Sequence, residues 1–375
     1  LRIACISTSQ VPSTTANSIQ LMKACAALVE LGHELTLWLP AGGPEPEWEV
    51  LAVHYGIRVR FPIRRLRSLR ALRGYDFCLQ AVLGGRRAGA QLIYVWPYQA
   101  AAIGSRLGYP TLLEVHDRPA GGMGPRLFRV FLRGKGARRA LVTTEALRSW
   151  LAANYGQERM EHLAVVIPNG VDLDRYRGLP EPIEARAVLG LPERFSAGYT
   201  GHLYAGRGLE LMLSLARWMP DVQLLWAGGQ PEAVSYWQDR LRQEGIENLK
   251  LLGFVPNERL PIVQAACEVL LMPYERRIAV SSGGDTSATA SPMKLFEYLA
   301  AGRAILASDL PVLREVLNEA NAQLLPPDEP ELWREALQRL RKYPERRARL
   351  GEQARLDAQR YSWTERARRA VEGLD

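Results

Sequence analysis

Apolar positions along this 375-residue chain follow two periods in alternation. Short unbroken apolar runs are separated by stretches in which apolar residues return every three or four positions, so strands and helices are predicted in turn. Residues 2–7 read as a first strand. A helix over 18–31 follows, with Ile19, Met22, Ala26 and Val29 on one face and Gly32 as its stop. Further strands are predicted at 34–39, 57–61, 92–96, 111–115, 141–143 and 164–167. A second series starts near Phe195, with strands at 196–200, 222–227, 249–253, 269–272, 304–307 and 323–325 and helices at 209–218, 233–244, 258–266 and 291–301. This rhythm predicts an α/β protein of two doubly wound, parallel-sheet domains. Residues 168–192 carry Pro168, Pro180, Pro182 and Pro192 and no strand pattern, which predicts the interdomain linker. Beyond Glu329 the chain is helical and charged, and its last piece sets Trp363, Ala367, Ala370 and Leu374 on one face.

Doubly wound domains carry their chemistry on loops at the carboxyl ends of the strands. Four loops fall there: residues 8–17, 114–124, 201–208 and 272–291. The last contains the run 281–287, read as a flexible loop, and leads into Ser291-Pro-Met-Lys-Leu-Phe-Glu-Tyr-Leu-Ala-Ala-Gly302. Ser291 reads as the N-cap, Pro292 as the first helical residue and Gly302 as the left-handed stop. Lys294 sits in the first turn, where a cation works against the helix dipole, and Glu297 is lodged between Phe296 and Tyr298. A positive charge at the positive end of a helix suggests an anionic ligand. The plainer alternative is a capped core helix with a solvated Lys and Glu. In Tyr199-Thr-Gly-His-Leu-Tyr-Ala-Gly-Arg-Gly208, Gly201 allows close backbone approach and Arg207 opens a helix, suited to fork onto a diphosphate. In Leu113-Glu-Val-His-Asp-Arg-Pro119, His116 is either a hydrogen-bonder or proton carrier, or a structural partner of Asp117. Ile167-Pro-Asn-Gly-Val-Asp172 reads as a turn or hinge.

Composition excludes several classes. Hydrophobic content is 47% and charged content 23%, ordinary for a soluble globular protein. No apolar run approaches the ~18 residues of a spanning helix. Cys5, Cys25, Cys78 and Cys267 are scattered without a C-x-x-C pair, which disfavours metal and disulfide frameworks alike. The sequence opens directly on a strand pattern without a basic leader, and a cytoplasmic protein is expected. P-loop, nucleophile-elbow, zincin and first-strand dinucleotide motifs are all missing. Charge is uneven: residues 1–171 hold 21 Lys and Arg against 11 Asp and Glu, the remainder 27 against 29. Much of the excess lies in residues 58–73 and 126–139, the second interleaved with Leu127, Phe128, Val130, Phe131 and Leu132. Such a stretch suits an anionic membrane surface, here the inner face; solubilising charge is the alternative. Nucleic acid is not expected as a partner, since no recognition motif accompanies the charge.

Taken in order, the Ser/Thr-rich first loop, Glu-Val-His-Asp, Pro-Asn-Gly-Val-Asp, Gly-His-Leu-Tyr-Ala-Gly-Arg-Gly, Leu-Gly-Phe-Val-Pro, Met-Pro-Tyr, the Ser291–Gly302 stretch and a closing Tyr-Ser-Trp resemble the retaining glycosyltransferases of family 4. The resemblance spans essentially the whole chain. It implies the GT-B fold: two Rossmann-like domains facing across a cleft, residues 1–170 for the acceptor and 171–361 for a nucleotide-sugar, with the final helix, 362–375, crossing back to the first domain. It implies a metal-independent hexosyl transfer with no cofactor, from a donor of UDP or GDP type to a saccharide or lipid-linked acceptor.

Carried over by position, Glu297 matches the second Glu of the family's E-x7-E motif, which grips the ribose. Ser291, Pro292, Met293 and Lys294 fall near the diphosphate, and Arg207 matches the phosphate-binding Lys. His202 stands where Arg is usual. Phe254 and Val255 fall against the base. His116 matches the His beside the transferred sugar, and Ser13, Thr14, Thr15, Ala16 and Asn17 match a loop near donor phosphate and acceptor. His116, Arg207 and Lys294 are the residues expected to carry the reaction. Thr289 replaces the first Glu of E-x7-E, so the sugar contact loses its charge, and Asp285 or Glu275 are the acids near enough in sequence to substitute. Rival readings are a nucleotide-sugar epimerase on the same fold, disfavoured by that lost acid, and a degenerate or basic binding protein.

Overall fold

The computed structural model describes residues 1–43, 45–278 and 287–374. The chain divides into two compact units, Leu1–Asn169 with Trp363–Asp375, and Gly170–Ser362. The first is built on a seven-stranded sheet of β1 (Arg2–Ile6), β2 (Glu34–Pro40), β3 (Ile63–Leu66), β4 (Leu92–Val95), β5 (Thr111–Val115), β6 (Ala137–Val142) and β7 (Ala164–Val166). Its order is β3-β2-β1-β4-β5-β6-β7, with every pairing parallel. The central strands β4 and β5 are buried throughout, as expected of strands covered on both faces. Phe77, Phe128, Phe131, Ile93 and Val115 are among the fully buried residues of one continuous core in this unit.

The second unit holds a six-stranded parallel sheet of β8 (Ser196–Thr200), β9 (Gln223–Ala227), β10 (Leu249–Gly253), β11 (Val269–Met272), β12 (Ala304–Ser308) and β13 (Gln323–Leu325). Its order is β10-β9-β8-β11-β12-β13.

Four expectations are corrected. The strand expected at 57–61 lies instead at Ile63–Leu66, after Pro62. Ile57 and Phe61 are buried, but as parts of a connecting loop. The first helix starts at Ala16 rather than at residue 18 and ends at Glu30. The helix of the opening motif runs Met293–Ala301 with Pro292 as its N-cap, so Ser291 lies outside it; Gly302 is left-handed at φ 63°. Extended φ and ψ at Pro292 (−71°, 127°) hand the first helical turn to Met293. Finally, 168–192 is not an open linker. It contains a short 3-10 turn, Leu173–Tyr176, and a helix, Pro182–Val188, both inside the second unit.

The basic run at 58–73 has a structural share. β3 is an edge strand, and charge on an edge discourages pairing with another chain. Arg64 lies 5.3 Å over the Trp38 ring, and Arg65 donates to the Val11 carbonyl at 2.8 Å. All four cysteines are buried and unbridged. Among the described residues no helix is long and apolar enough to cross a membrane.

Candidate active site

In the second unit the strand order reverses between β8 and β11, the switch point where open α/β sheets bind ligands. These two strands pair only at Ala197 and Gly198, with Val269 and Leu270. Beyond that point the Tyr298 hydroxyl accepts from the Thr200 N–H at 2.8 Å, which pins the Met293–Ala301 helix to the strand end. Tyr298 is fully buried.

Two glycines make the loop after β8 possible. A Cβ at Gly201, where φ is 139°, would come 2.4 Å from Lys294 Nζ; one at Gly208, where φ is 72°, would come 1.8 Å from the Pro273 carbonyl oxygen. Lys294 therefore threads past bare backbone. Its stem is half-buried, but its Nζ is inaccessible and makes no hydrogen bond among the described residues. The amine stands 3.7 Å from the Tyr199 ring centroid and 5.3 Å from that of Tyr274. The Arg207 guanidinium lies 4.7 Å from the same Tyr274 ring. Burial first, and then the Arg207 charge, push Lys294 well below the usual lysine range, against the pull of Glu297. The His202 ring stacks on Tyr204 at 4.9 Å; burial, then Lys294 and Arg207, lower its pKa as well. Three basic side chains thus share one corner.

The remaining donor-side residues flank it. Gln264 Nε2 donates to Glu297 Oε2 at 3.5 Å and to Thr200 Oγ1 at 3.3 Å. The Gly201 N–H donates to the Ala227 carbonyl at 2.8 Å, and the Gly228 N–H to the Gly253 carbonyl at 2.6 Å. The ends of β8, β9 and β10 are thereby laced together, with Phe254 and Val255 next along β10. Phe254 is 59% exposed, a bare aromatic face at a strand end. Ser291, Pro292 and Met293 are half-buried, whereas Thr289 is buried to 2%. Glu275 is exposed, and Asp285, with residues 281–286 of the expected loop, lies outside the described residues.

In the first unit the loop after β1 is held from three sides. Tyr55 Oη accepts from the Ser13 N–H at 2.8 Å and lies 2.6 Å from Ser18 Oγ; His54 Nε2 is 3.2 Å from the Ser13 carbonyl. Ser13 Oγ accepts from the Thr15 N–H at 3.2 Å. Thr14, Thr15, Ala16 and Asn17 are exposed, the last two in the first turn of the Ala16–Glu30 helix. His116 follows β5. Its Nε2 lies 3.0 Å from Glu114 Oε2, so its partner is Glu114. Asp117 instead accepts from the Arg118 N–H through its carboxylate. The Glu114 side chain is wholly buried and accepts from Arg366 Nη2 through both oxygens, at 2.9 and 3.0 Å, and from the Tyr94 hydroxyl. Burial raises the Glu114 pKa, but Arg366, His116 and Tyr94 together outweigh it and bring it down to about 2.

The comparisons with known proteins agree with this layout. The family model for glycosyl transferases group 1 matches residues 183–357, and that for glycosyltransferase family 4 matches residues 19–175. The chain belongs to the group 1, GT-B glycosyltransferases. Among relatives, the 2-deoxystreptamine glucosyltransferase of Streptomyces kanamyceticus is 28% identical over 68% of this chain and 74% of its own length. The phosphatidyl-myo-inositol mannosyltransferase of Mycobacterium tuberculosis is 30% identical over 50% of this chain, and that match spans 46% of the relative. The fold matches that of Anabaena Alr3699/HepE, solved with UDP-glucose, with a TM-score of 0.75 at 19% identity, over 100% of this chain and 99% of that one.

Within this glycosyltransferase, Gly201, His202, Arg207, Lys294 and Glu297 converge around the switch point, and Phe254 and Val255 lie two strands away. Ser13 to Asn17 and His116 belong to the other unit. Sequence reasoning missed Tyr199, Tyr274 and Tyr298, which build the cage and anchor the helix, and the Gly228-Gly229 turn. It also missed Glu114 and Arg366. Their signals were present: an acid inside the apolar run Leu112-Leu-Glu-Val115, and an arginine next to Ala367 on the apolar face of the last helix. Among the described residues no group of three or more His, Cys, Asp or Glu is placed to hold a metal ion.

Proposed function

We propose that this glycosyltransferase moves a hexose from a UDP- or GDP-type nucleotide-sugar to a hydroxyl of a lipid-linked or cell-surface saccharide precursor, with retention at the anomeric carbon and without a metal ion or cofactor. The observation that carries the reading is the Lys294 amine, buried beside Arg207 without a hydrogen-bond partner among the described residues. A buried, unpaired ammonium is costly, and a second cation nearby makes it more so. A diphosphate supplies the missing acceptors and countercharge. Arg207 and Lys294 then stabilise the charge that builds on the leaving group. Glu297 takes the ribose hydroxyls, Phe254 and Val255 the base, and the segment Ser291-Pro-Met293 the phosphate edge.

In this reading the bond from the anomeric carbon to the phosphate oxygen breaks as the acceptor oxygen bonds to the same face. The acceptor proton passes to the departing phosphate oxygen. His116 contacts the transferred sugar, and the loop bearing Ser13 to Asn17 holds the acceptor side. Thr289, buried and uncharged, replaces a family carboxylate at the sugar, so sugar choice departs from the family pattern, while Arg207 and Lys294 keep the phosphate grip.

Support for the donor class comes from the neighbour solved with UDP-glucose, and for a lipid acceptor from a relative named for phosphatidyl-myo-inositol. The basic first unit fits a cytoplasmic enzyme that works at the inner face of an anionic membrane. Arg207→Ala tests the assignment. Turnover of nucleotide-sugar should fall about 10²- to 10³-fold with the thermal midpoint nearly unchanged, as for loss of one charge-stabilising group. An unaltered rate overturns it. The donor itself is read by thermal shift across UDP- and GDP-sugars, since a bound ligand raises apparent stability.

A further inference from the structure

The cluster around Glu114 does more than hold a helix. Glu114 sits in β5, two residues before His116, with its side chain fully enclosed. Its carboxylate meets donors on several sides: Arg366 Nη2 spans both oxygens, the Tyr94 hydroxyl reaches Oε1, and His116 Nε2 lies 3.0 Å from Oε2. Arg366 is itself 3% exposed, gives its Nε to the Pro168 carbonyl at 3.0 Å, and has Nη1 3.5 Å from Tyr94 Oη. An ionised carboxylate only accepts hydrogen bonds, and a guanidinium only donates them. With Arg366 fixing the charge of Glu114, the ring atom facing Glu114 has to carry hydrogen. The His116 side chain is 27% exposed.

We infer that Glu114, held ionised by Arg366 of the C-terminal helix, is a positioning residue that sets the tautomer of His116, placing hydrogen on Nε2 and leaving the Nδ1 lone pair to accept a hydrogen bond from a sugar hydroxyl. The assignment deepens the proposed function, because it rests on His116 contacting the sugar. It brings Trp363–Val371, the last helix in sequence, into the chemistry of a site that it does not touch. Neutral imidazole has one donor and one acceptor, and which is which is decided by the partner at the other nitrogen. The Nδ1 lone pair then selects a hydroxyl donor. A deoxy- or O-methyl sugar at that position has no hydrogen to give, and the lone pair loses its partner.

The test is built on Glu114→Gln. The amide keeps its oxygen toward Arg366 and Tyr94 and turns its NH₂ toward His116. Nε2 must then accept, and the hydrogen moves to Nδ1. Ring-¹⁵N-labelled histidine spectra of the full chain report the tautomer directly; the chain has five histidines, and His116→Gln assigns the signal. Wild type should show hydrogen on Nε2, Glu114→Gln hydrogen on Nδ1, and kcat should fall about a hundredfold with the affinity for the nucleoside diphosphate unchanged. A wild-type ring with hydrogen on Nδ1, whether as the other tautomer or as the imidazolium, overturns the inference without any variant. A Glu114→Gln protein that keeps both tautomer and kcat overturns it as well. Should Glu114→Gln unfold, Arg366→Lys keeps the charge that holds Glu114 ionised, and the inference requires hydrogen to stay on Nε2 there; an Nδ1 or mixed signal overturns it. The outcomes separate from the function itself: the stated tautomer together with an unaffected rate in His116→Ala would refute the role of His116 in transfer and leave its pairing with Glu114 standing.

Discussion

By the resemblance, His202 stands where arginine is usual, and the difference would be chemical as well as steric. Arginine stays charged at every accessible pH, whereas a histidine held below its ordinary value by burial, Lys294 and Arg207 is neutral in the free protein at neutral pH. In the proposed complex a diphosphate would reverse the balance, since its charge favours the imidazolium. Binding should then take up a proton. The sign follows: affinity for the nucleoside diphosphate strengthens as pH falls between the bound and the free pKa of His202, by at most about tenfold per pH unit. Calorimetry between about pH 5 and 8 in two buffers of different ionisation enthalpy measures the uptake. His202→Gln should remove the component near neutrality; a variant with the wild-type pH slope would leave Lys294 as the group that takes the proton. Thr289 is another single-residue departure implied by the resemblance. Its burial to 2% puts it in the wall of the unit.

At the scale of elements, the Gly124–Arg133 helix divides its residues cleanly. Phe128, Phe131 and Leu132 face the core, while Arg126, Arg129 and Arg133 are exposed together with Val130. Arg139, in the same basic run, is used otherwise: it donates to the carbonyls of Arg369, Ala370 and Glu372 at the end of the last helix. Only part of the run is therefore free for a surface role. Each of the three helix arginines is worth about 1 kcal/mol near an anionic bilayer. Replacing all three by serine should lower binding to phosphatidylserine vesicles on the order of 100-fold in a flotation assay while circular dichroism stays unchanged. Equal flotation of wild type and variant would remove the membrane proposal.

The legibility of the elements follows the same physics. Strands buried on both faces, such as β5, β8 and β11, fall at the residues their apolar runs predict, because nothing competes with burial there. The edge strand β3 escaped detection. It reads Ile63-Arg-Arg-Leu66, since an edge tolerates charge, and the more apolar stretch beside it proved to be a connecting loop. Proline misled at the Met293–Ala301 helix: Pro292 does stand at the helix start, but one position earlier than its usual place. Of the site, the residues with a charge or a required glycine were readable. The tyrosines were not, because Tyr199, Tyr274 and Tyr298 look like core in a linear sequence, and only the fold shows two of them facing a buried amine.

At the scale of the whole molecule, the pair of Glu114 and Arg366 joins residues 252 apart in sequence within one unit. Removing one member of a buried ion pair strands the other, so Arg366→Ala should destabilise the first unit by about 3–5 kcal/mol, read by urea unfolding at pH 7. Acid should act on the same pair. Because the Glu114 pKa falls to about 2 from an ordinary 4.5, its contribution is complete above 4.5 and disappears as pH drops toward 2. The acid limb of the stability curve should flatten in Glu114→Gln.

This contact also sets an order of events during synthesis. Every strand of the first sheet has been made by Val166, yet the carboxylate at its centre has no guanidinium until Arg366 appears. At roughly 5–20 residues per second, the gap between Glu114 and Arg366 is about 13–50 s, longer than most domains need to fold. The second unit lies wholly between the two and is complete in sequence before the first can be closed. The nascent first unit therefore waits with Glu114 lacking its guanidinium, and the half of the protein translated first is the last to reach its final form.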